Sequence, residues 1–249
     1  MGKCASVINF VTVWLPEYLP LLLRGTLVTV ELTCLSMALA LVIGMFVALG
    51  RGSDIPWLRR ILAAYLELWR DIPLVVQLFI IYFTLPEIGI RIPAFWAGVL
   101  GLSLNLGAYL SEVFRAAIAA ISLGQRDAAI SLGMSRIAMY RRIILPQAFL
   151  IAIPTITGYF ISLLKDCSLV SFISVNELLR SGTIIIAETF DSMRVYMAIG
   201  IIYFILSFAS SRVLRWLELR LTPQYLKLGA ARNRFREIEE TSLQPTELA

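Results

Sequence analysis

The sequence predicts an all-α membrane protein with five transmembrane helices, its N-terminus outside and its C-terminus in the cytoplasm. Three observations carry this. Apolar residues make up 59% of the 249-residue chain and charged residues 16%, where an ordinary soluble domain has about 45–50% and about 25%. The mean hydropathy is +0.81; a soluble fold of this length cannot hide that much apolar surface, so the expected solvent is lipid. The second observation is a set of five mostly apolar stretches, residues 21–49, 58–85, 93–121, 147–173 and 193–217. Each exceeds the roughly 20 helical residues that cross about 30 Å of hydrocarbon. The third is how Lys and Arg are distributed between the stretches.

In chain order, residues 1–20 form an extracytoplasmic, interfacial lead-in with Lys3 as its basic side chain. Span one is too long for a cleavable signal peptide and lacks a clear small-residue cleavage site. Arg51, Arg59 and Arg60 follow it, marking a cytoplasmic connection. The next connection holds only Arg91 and lies outside. Arg126, Arg136, Arg141 and Arg142 return the third connection to the cytoplasm. The fourth is acidic, with Glu177, Glu188 and Asp191 against Arg180, and lies outside. After span five come Arg220 and then a cytoplasmic tail, residues 222–249, with Lys227, Arg232, Arg234 and Arg236. Residues 21–221 thus form one five-helix membrane domain containing a long loop, 122–146. Trp14, Trp57, Trp96, Trp216, Tyr18 and Tyr225 fall near span ends, where aromatic anchors belong. No internal repeat is evident, and five spans do not divide into two equal inverted halves.

Absences narrow the chemistry. The chain has no histidine, which removes Ser-His and Cys-His catalysis and most zinc sites. Cys4, Cys34 and Cys167 have no metal-like spacing and read as inert, buried thiols. The net charge of +5 comes from loops facing anionic lipid, with no nucleic-acid-binding motif beside it. No Gly-x-x-x-x-Gly-Lys-Ser/Thr phosphate loop occurs.

The loop 122–146 is too structured for a simple connection. Ser122 three residues before Gln125 predicts a capping box opening a helix through Leu132. Gly133 suits the left-handed position that closes such a helix, and Ser135 suits the cap of a second one. An interfacial helix lying on lipid and a docking knob for a cytoplasmic partner both answer this description. The small residues Ala128, Ala129 and Gly133 favour the knob, because they let another surface approach closely.

Asp127-Ala128-Ala129, Gly133 after three more residues, and then Ile143, Leu145 and Pro146 resemble the EAA loop of ATP-binding-cassette importer permeases. Stretches 73–78, 108–115, 160–166 and 168–171 extend the resemblance to the polar amino acid subfamily, the permeases for histidine, arginine, glutamine, glutamate and opines. It covers about residues 21–228. Asp127 stands for the family's glutamate, Arg70-Asp71-Ile72-Pro73 for Arg-Gly-Thr-Pro, and Cys167 for threonine. The resemblance implies a type I importer permease fold in the bacterial inner membrane and no enzymatic activity or cofactor on this chain. It implies a second permease, identical or a sister chain, and two cytoplasmic ATPase subunits that bind ATP and magnesium. An extracytoplasmic binding protein delivers the substrate. Gln125, Asp127, Ala128, Ala129, Gly133, Met134 and Ser135 would then contact the ATPase. A stand-alone, ion-driven secondary transporter is the alternative, and it leaves the loop without a purpose.

A charge at the bilayer centre costs about 2.5–3.5 kcal/mol on the mildest scale, so each one needs a partner or a use. Glu31 lies midway along span one; Glu67, Arg70 and Asp71 lie in span two just before Pro73, which must disturb the helix ladder there. Glu112 and Arg115 lie in span three, Lys165 and Asp166 in span four. One reading pairs Glu67 with Arg70 or Asp71, Glu112 with Arg115, and Lys165 with Asp166 or a neighbouring span. The other places Arg70, Asp71, Glu112, Lys165 and Asp166 along a polar path, with Asp71 favouring cationic substrates. Gly25, Gly44, Gly50, Gly101, Gly107 and Gly158 are expected to permit close helix contact.

Overall fold

Pro16 falls where the first helical N–H groups lack partners anyway, and Pro20 removes only one early bond. Nothing after it interrupts α1, which runs unbroken over Leu15–Arg51. The computed structural model describes residues 15–221, and every regular element among them is helical. The chain turns at Gly52–Ser53, and Pro56 opens α2, Pro56–Asp71. α3, Leu74–Phe79, continues through a π turn and a 3₁₀ turn to Ile88, closed by Gly89 at φ +88°. α4 is Ala94–Ala119, α5 Leu123–Ser131 and α6 Arg136–Met139. α7, Leu145–Asp166, ends in a 3₁₀ turn over Cys167–Ile173; α8 is Leu178–Thr189 and α9 Ser192–Leu221.

By length and composition, four helical runs can cross a membrane: Pro16–Arg51, Ala94–Ala119, Arg136–Ile173 and Ser192–Leu221. The number is five if Pro56–Asp71 and Leu74–Ile88 form one span, bent by 107°. The disturbance expected at Pro73 is thus a full break in the second span. Its cause is local: Pro73 has no N–H to donate to Trp69 and biases Ile72 away from helix, and Ile72 is extended at φ −87°, ψ 132°. The expected lead-in 1–20 overlaps α1 from Leu15 onward; residues 1–14 and 222–249, with Cys4, Trp14, Tyr225 and the tail cations, lie outside the described residues.

The main core joins α1, α4 and α7 around fully buried Leu32, Leu102, Leu110, Phe114 and Ile144. α1 and α4 touch nearly backbone to backbone. A Cβ on Gly44 would lie 2.9 Å from Leu110 Cβ, and one on Gly107 2.8 Å from Ile43 Cγ2. Gly25, Gly50 and Gly101 also sit in close contacts as expected; Gly158 does not, since nothing lies within 4 Å of its would-be Cβ. Cys167 is buried, 3.3 Å from Thr33 Oγ1, whereas Cys34 is exposed, contrary to the expectation of a buried thiol.

α8 replaces what the sequence reads as an acidic loop. Glu177 is fully buried as its N-cap, accepting from the N–H groups of Leu179 (2.8 Å) and Arg180 (2.7 Å) and from Tyr203 Oη (2.9 Å). Thr29 Oγ1 accepts from Leu178 N at 3.2 Å. These bonds tie α8 to α1 and α9 over a small second core of Leu22, Leu178, Ile185, Val195 and Ile199. α9 leaves Met197, Ile201, Phe204, Ile205 and Phe208 exposed, a face for lipid or another subunit.

Candidate functional site

The break in the second span creates the first candidate site. An orphaned carbonyl in the apolar region costs several kcal/mol, so a broken helix persists only where side chains satisfy it. Gln77, which is 4% exposed, donates through Nε2 to the Trp69 carbonyl (3.0 Å) and the Ile72 carbonyl (2.8 Å). Asn105 of α4 donates through Nδ2 to the Trp69 carbonyl (2.8 Å) and to Gln77 Oε1 (3.1 Å). Two amides thus serve the carbonyl that Pro73 leaves without a donor.

Arg70 and Asp71 end α2 on the rim of this break. A cavity of about 510 Å³ opens there, lined by Arg70, Asp71, Asn105, Tyr109, Tyr159, Ser162 and Asp166 among others. Two further cavities adjoin it: about 520 Å³ past Tyr109, Glu112 and Tyr159, and about 290 Å³ between Glu67, Asp71 and Glu112. Arg70 lines all three. Its guanidinium lies 5.5 Å from the centre of the Tyr109 ring, a contact that leaves its N–H groups able to receive an anion. Ser162 Oγ is 3.4 Å from Asp166 Oδ2.

The candidates named from sequence separate here. Arg70, Asp71 and Asp166 meet at one cavity. Glu112 borders the two adjoining spaces but is held by Arg51 of α1 and by Arg115 at 2.7 Å. The expected Glu112–Arg115 pair is present, with Arg51 as an unforeseen second partner. Lys165 is exposed and borders none of these cavities, and no ion pair joins it to Asp166. One residue along a helix turns a side chain by roughly 100°, so adjacent residues face different ways. Glu67 and Arg70 form no ion pair either. Gln77, Asn105, Tyr109, Tyr159 and Ser162 were missed as site residues; polar side chains within apolar runs, four residues past the proline in the case of Gln77, are the signal that finds the first two.

The second candidate site is the loop. α5 closes with the Gly133 N–H on the Ile130 carbonyl (2.9 Å) and the Met134 N–H on the Ala129 carbonyl (3.1 Å), a left-handed C-terminal cap with Gly133 at φ +71°. Ser135 caps α6 by accepting from Ala138 N at 3.3 Å. The expected capping box does not form: Ser122 makes no side-chain cap bond. Gln125 instead exchanges bonds with Gln147 of α7, 2.8 and 3.3 Å, anchoring α5 to that helix. Asp127 and Ala128 are exposed, as are Leu132 and Ile137 at 81% each. Ala129 is the correction: it is 1% exposed and packed into this chain's own core, so it offers nothing to a partner.

Apolar spans, a helix broken over polar cavities and a capped, exposed two-helix loop together define a membrane transport component. Residues 40–223 match the family described as the binding-protein-dependent transport system inner membrane component, and the chain belongs to that family. It is a transporter subunit of the inner membrane rather than a catalytic enzyme. Among its relatives is a probable amino-acid ABC transporter permease of Sinorhizobium fredii, 38% identical over 84% of this chain and 91% of the relative. The L-cystine transport system permease TcyB of Bacillus subtilis is 39% identical over 82% and 88%. A solved amino acid ABC transporter with histidines superposes with a TM-score of 0.77 at 37% identity, covering 83% of this chain and 96% of that one. The inward-facing MetNI methionine transporter, at 21% identity and TM-score 0.69 over 82% and 97%, shares the fold.

Proposed function

We propose that this chain is the permease of a polar amino acid importer, crossing the membrane five times with its N-terminus outside and its tail in the cytoplasm. Residues 21–221 form the permease domain, which pairs with a second permease, identical or a sister chain, on two cytoplasmic ATPase subunits. The ATPases bind ATP and magnesium; an extracytoplasmic binding protein delivers the substrate. The observation that carries the reading is the cavity at the broken second span, which Arg70, Asp71 and Asp166 line together in a chain of this family.

The chemistry suits a zwitterion. Arg70 supplies donors for a carboxylate; Asp71 and Asp166 supply acceptors for an ammonium, with hydroxyls of Tyr109, Tyr159 and Ser162 beside them. Two carboxylates against one guanidinium leave an excess of negative charge, which favours substrates with a cationic side chain. Glu112, already bound by Arg51 and Arg115, acts as a structural tie between α1 and α4. Leu123, Asp127, Ala128, Leu132 and Ile137 present the coupling surface, which Gly133, Met134 and Ser135 shape and Gln125 anchors.

Asp71→Asn keeps the shape and removes the charge. In reconstituted vesicles it is expected to lower arginine uptake relative to glutamine uptake by about tenfold, the equivalent of about 1.4 kcal/mol. An unchanged ratio contradicts the role of Asp71 in selectivity.

A further inference from the structure

A fourth cavity adjoins the loop and shares Leu123, Asp127 and Ile137 with its coupling surface. It measures about 840 Å³ and lies at the arginine-rich end of the bundle, between the end of α1, the end of α4 and the loop helices α5 and α6. Arg51, Arg115, Arg126, Arg136 and Arg141 line it, against Asp127 as the only acidic wall residue. Their charges are incompletely answered. Arg51 and Arg115 share the single carboxylate of Glu112, and Arg136 reaches Asp54 in a solvent-exposed pair at 2.7 Å. Arg141 has no acidic partner among the described residues. Arg126 spends one Nη on the Ile118 carbonyl (2.7 Å) and leaves its Nε buried without an acceptor. A buried guanidinium N–H without an acceptor favours an oxyanion beside it.

Apart from Tyr140 the rest of the wall is apolar, with Leu49, Ile118, Leu123, Ile130 and Leu145 prominent in it. A small soluble anion would satisfy the arginines and leave this surface against water. An amphiphile answers both halves, with a phosphate on the guanidinium groups and hydrocarbon along the leucines and isoleucines. α1 and α4 end here, at Arg51 and Ala119, so the cavity lies at the depth of lipid headgroups, where basic pockets between spans take anionic lipid.

We infer that this cavity binds the phosphate of an anionic phospholipid, placing one lipid between the spans and the helices of the loop. Assigning it to the cytoplasmic leaflet rests on the orientation proposed above; the binding chemistry does not. The lipid would brace α5 against α1 and α4, so that movement of the loop is transmitted to the spans.

The test is native mass spectrometry of the purified complex after exchange from phosphatidylglycerol-containing membranes into neutral detergent. The parent is expected to retain phosphatidylglycerol, and Arg126→Gln with Arg141→Gln to retain about tenfold less, a loss of about 1.4 kcal/mol. Arg59→Gln with Arg60→Gln, equally basic but outside the cavity, is expected to match the parent. Equal retention by the Arg126/Arg141 variant overturns the proposal. Displacement by millimolar inorganic phosphate also overturns it, in favour of a soluble-anion site. A second measurement needs no variant: photoactivatable phosphatidylglycerol is expected to label residues 118–145 of the parent. Labelling confined to other segments contradicts a lipid here. Both readouts are bound lipid, so they stand or fall separately from amino acid uptake.

Discussion

Gly133→Leu is expected to leave the protein inserted in the membrane while ATP-driven uptake falls at least about tenfold, a change of about 1.4 kcal/mol or more in coupling. The reason is backbone rather than space. Nothing lies within 4 Å of the position a Cβ would take, but Gly133 holds φ +71°, and a branched side chain there costs on the order of 1–3 kcal/mol. Escaping that cost means giving up the Gly133–Ile130 and Met134–Ala129 bonds, which set the direction from α5 into α6. The exposed Ala128, Leu132 and Ile137 would then no longer form one surface. Gly133→Asn is the matched control, because asparagine tolerates the left-handed region, and it is expected to restore most of the uptake. Parallel assays of uptake and hydrolysis in vesicles check this: in Gly133→Leu, hydrolysis should continue without proportionate transport. Full uptake by Gly133→Leu would remove the loop from the coupling mechanism.

Gln77→Leu is expected to have the larger effect on the spans themselves. It deletes the donor to both the Trp69 and Ile72 carbonyls at a buried position, and each buried polar group left unpaired costs about 1–3 kcal/mol. Asn105 still reaches the Trp69 carbonyl, so the Ile72 carbonyl and the Asn105 amide bear most of the loss. The break that positions Arg70 and Asp71 would relax, lowering the thermal unfolding temperature and cutting uptake by more than about tenfold. Asn105→Leu removes one of two donors to Trp69 and is expected to be milder. Thermal melts of both variants beside the parent give the order; equal, unperturbed melts would show that the amides do not hold the break.

The apolar runs and the cap residues Gly133 and Ser135 were legible because each depends on local chemistry. α4 and α9 fell near the expected spans for that reason, whereas α7 ends at Asp166 and only a 3₁₀ turn carries the fourth stretch on to Ile173. Longer-range facts were not legible. α8 hides in twelve residues, too short to read as a span, and its cap Glu177 looks like any loop carboxylate until Tyr203 and α1 close over it. Pro73 announced a disturbance, but its 107° size depends on Gln77 and on Asn105, a different helix. Ala128 and Ala129 are identical in sequence, and only packing turns one outward and the other into the core. Among the charges, sequence gave five candidates of equal standing; the third dimension assigns Glu112 to Arg51, turns Lys165 away and gathers Arg70, Asp71 and Asp166.

The measurement that bears most directly on the central claim is gentle-detergent co-purification from native membranes, with mass spectrometry of what stays bound. The account predicts a phosphate-loop ATPase and a second permease with the parent chain. It also predicts loss of the ATPase from Ala128→Trp, which adds bulk to the exposed loop surface without entering the core. A chain that purifies alone, and moves amino acids in vesicles without ATP, would contradict it.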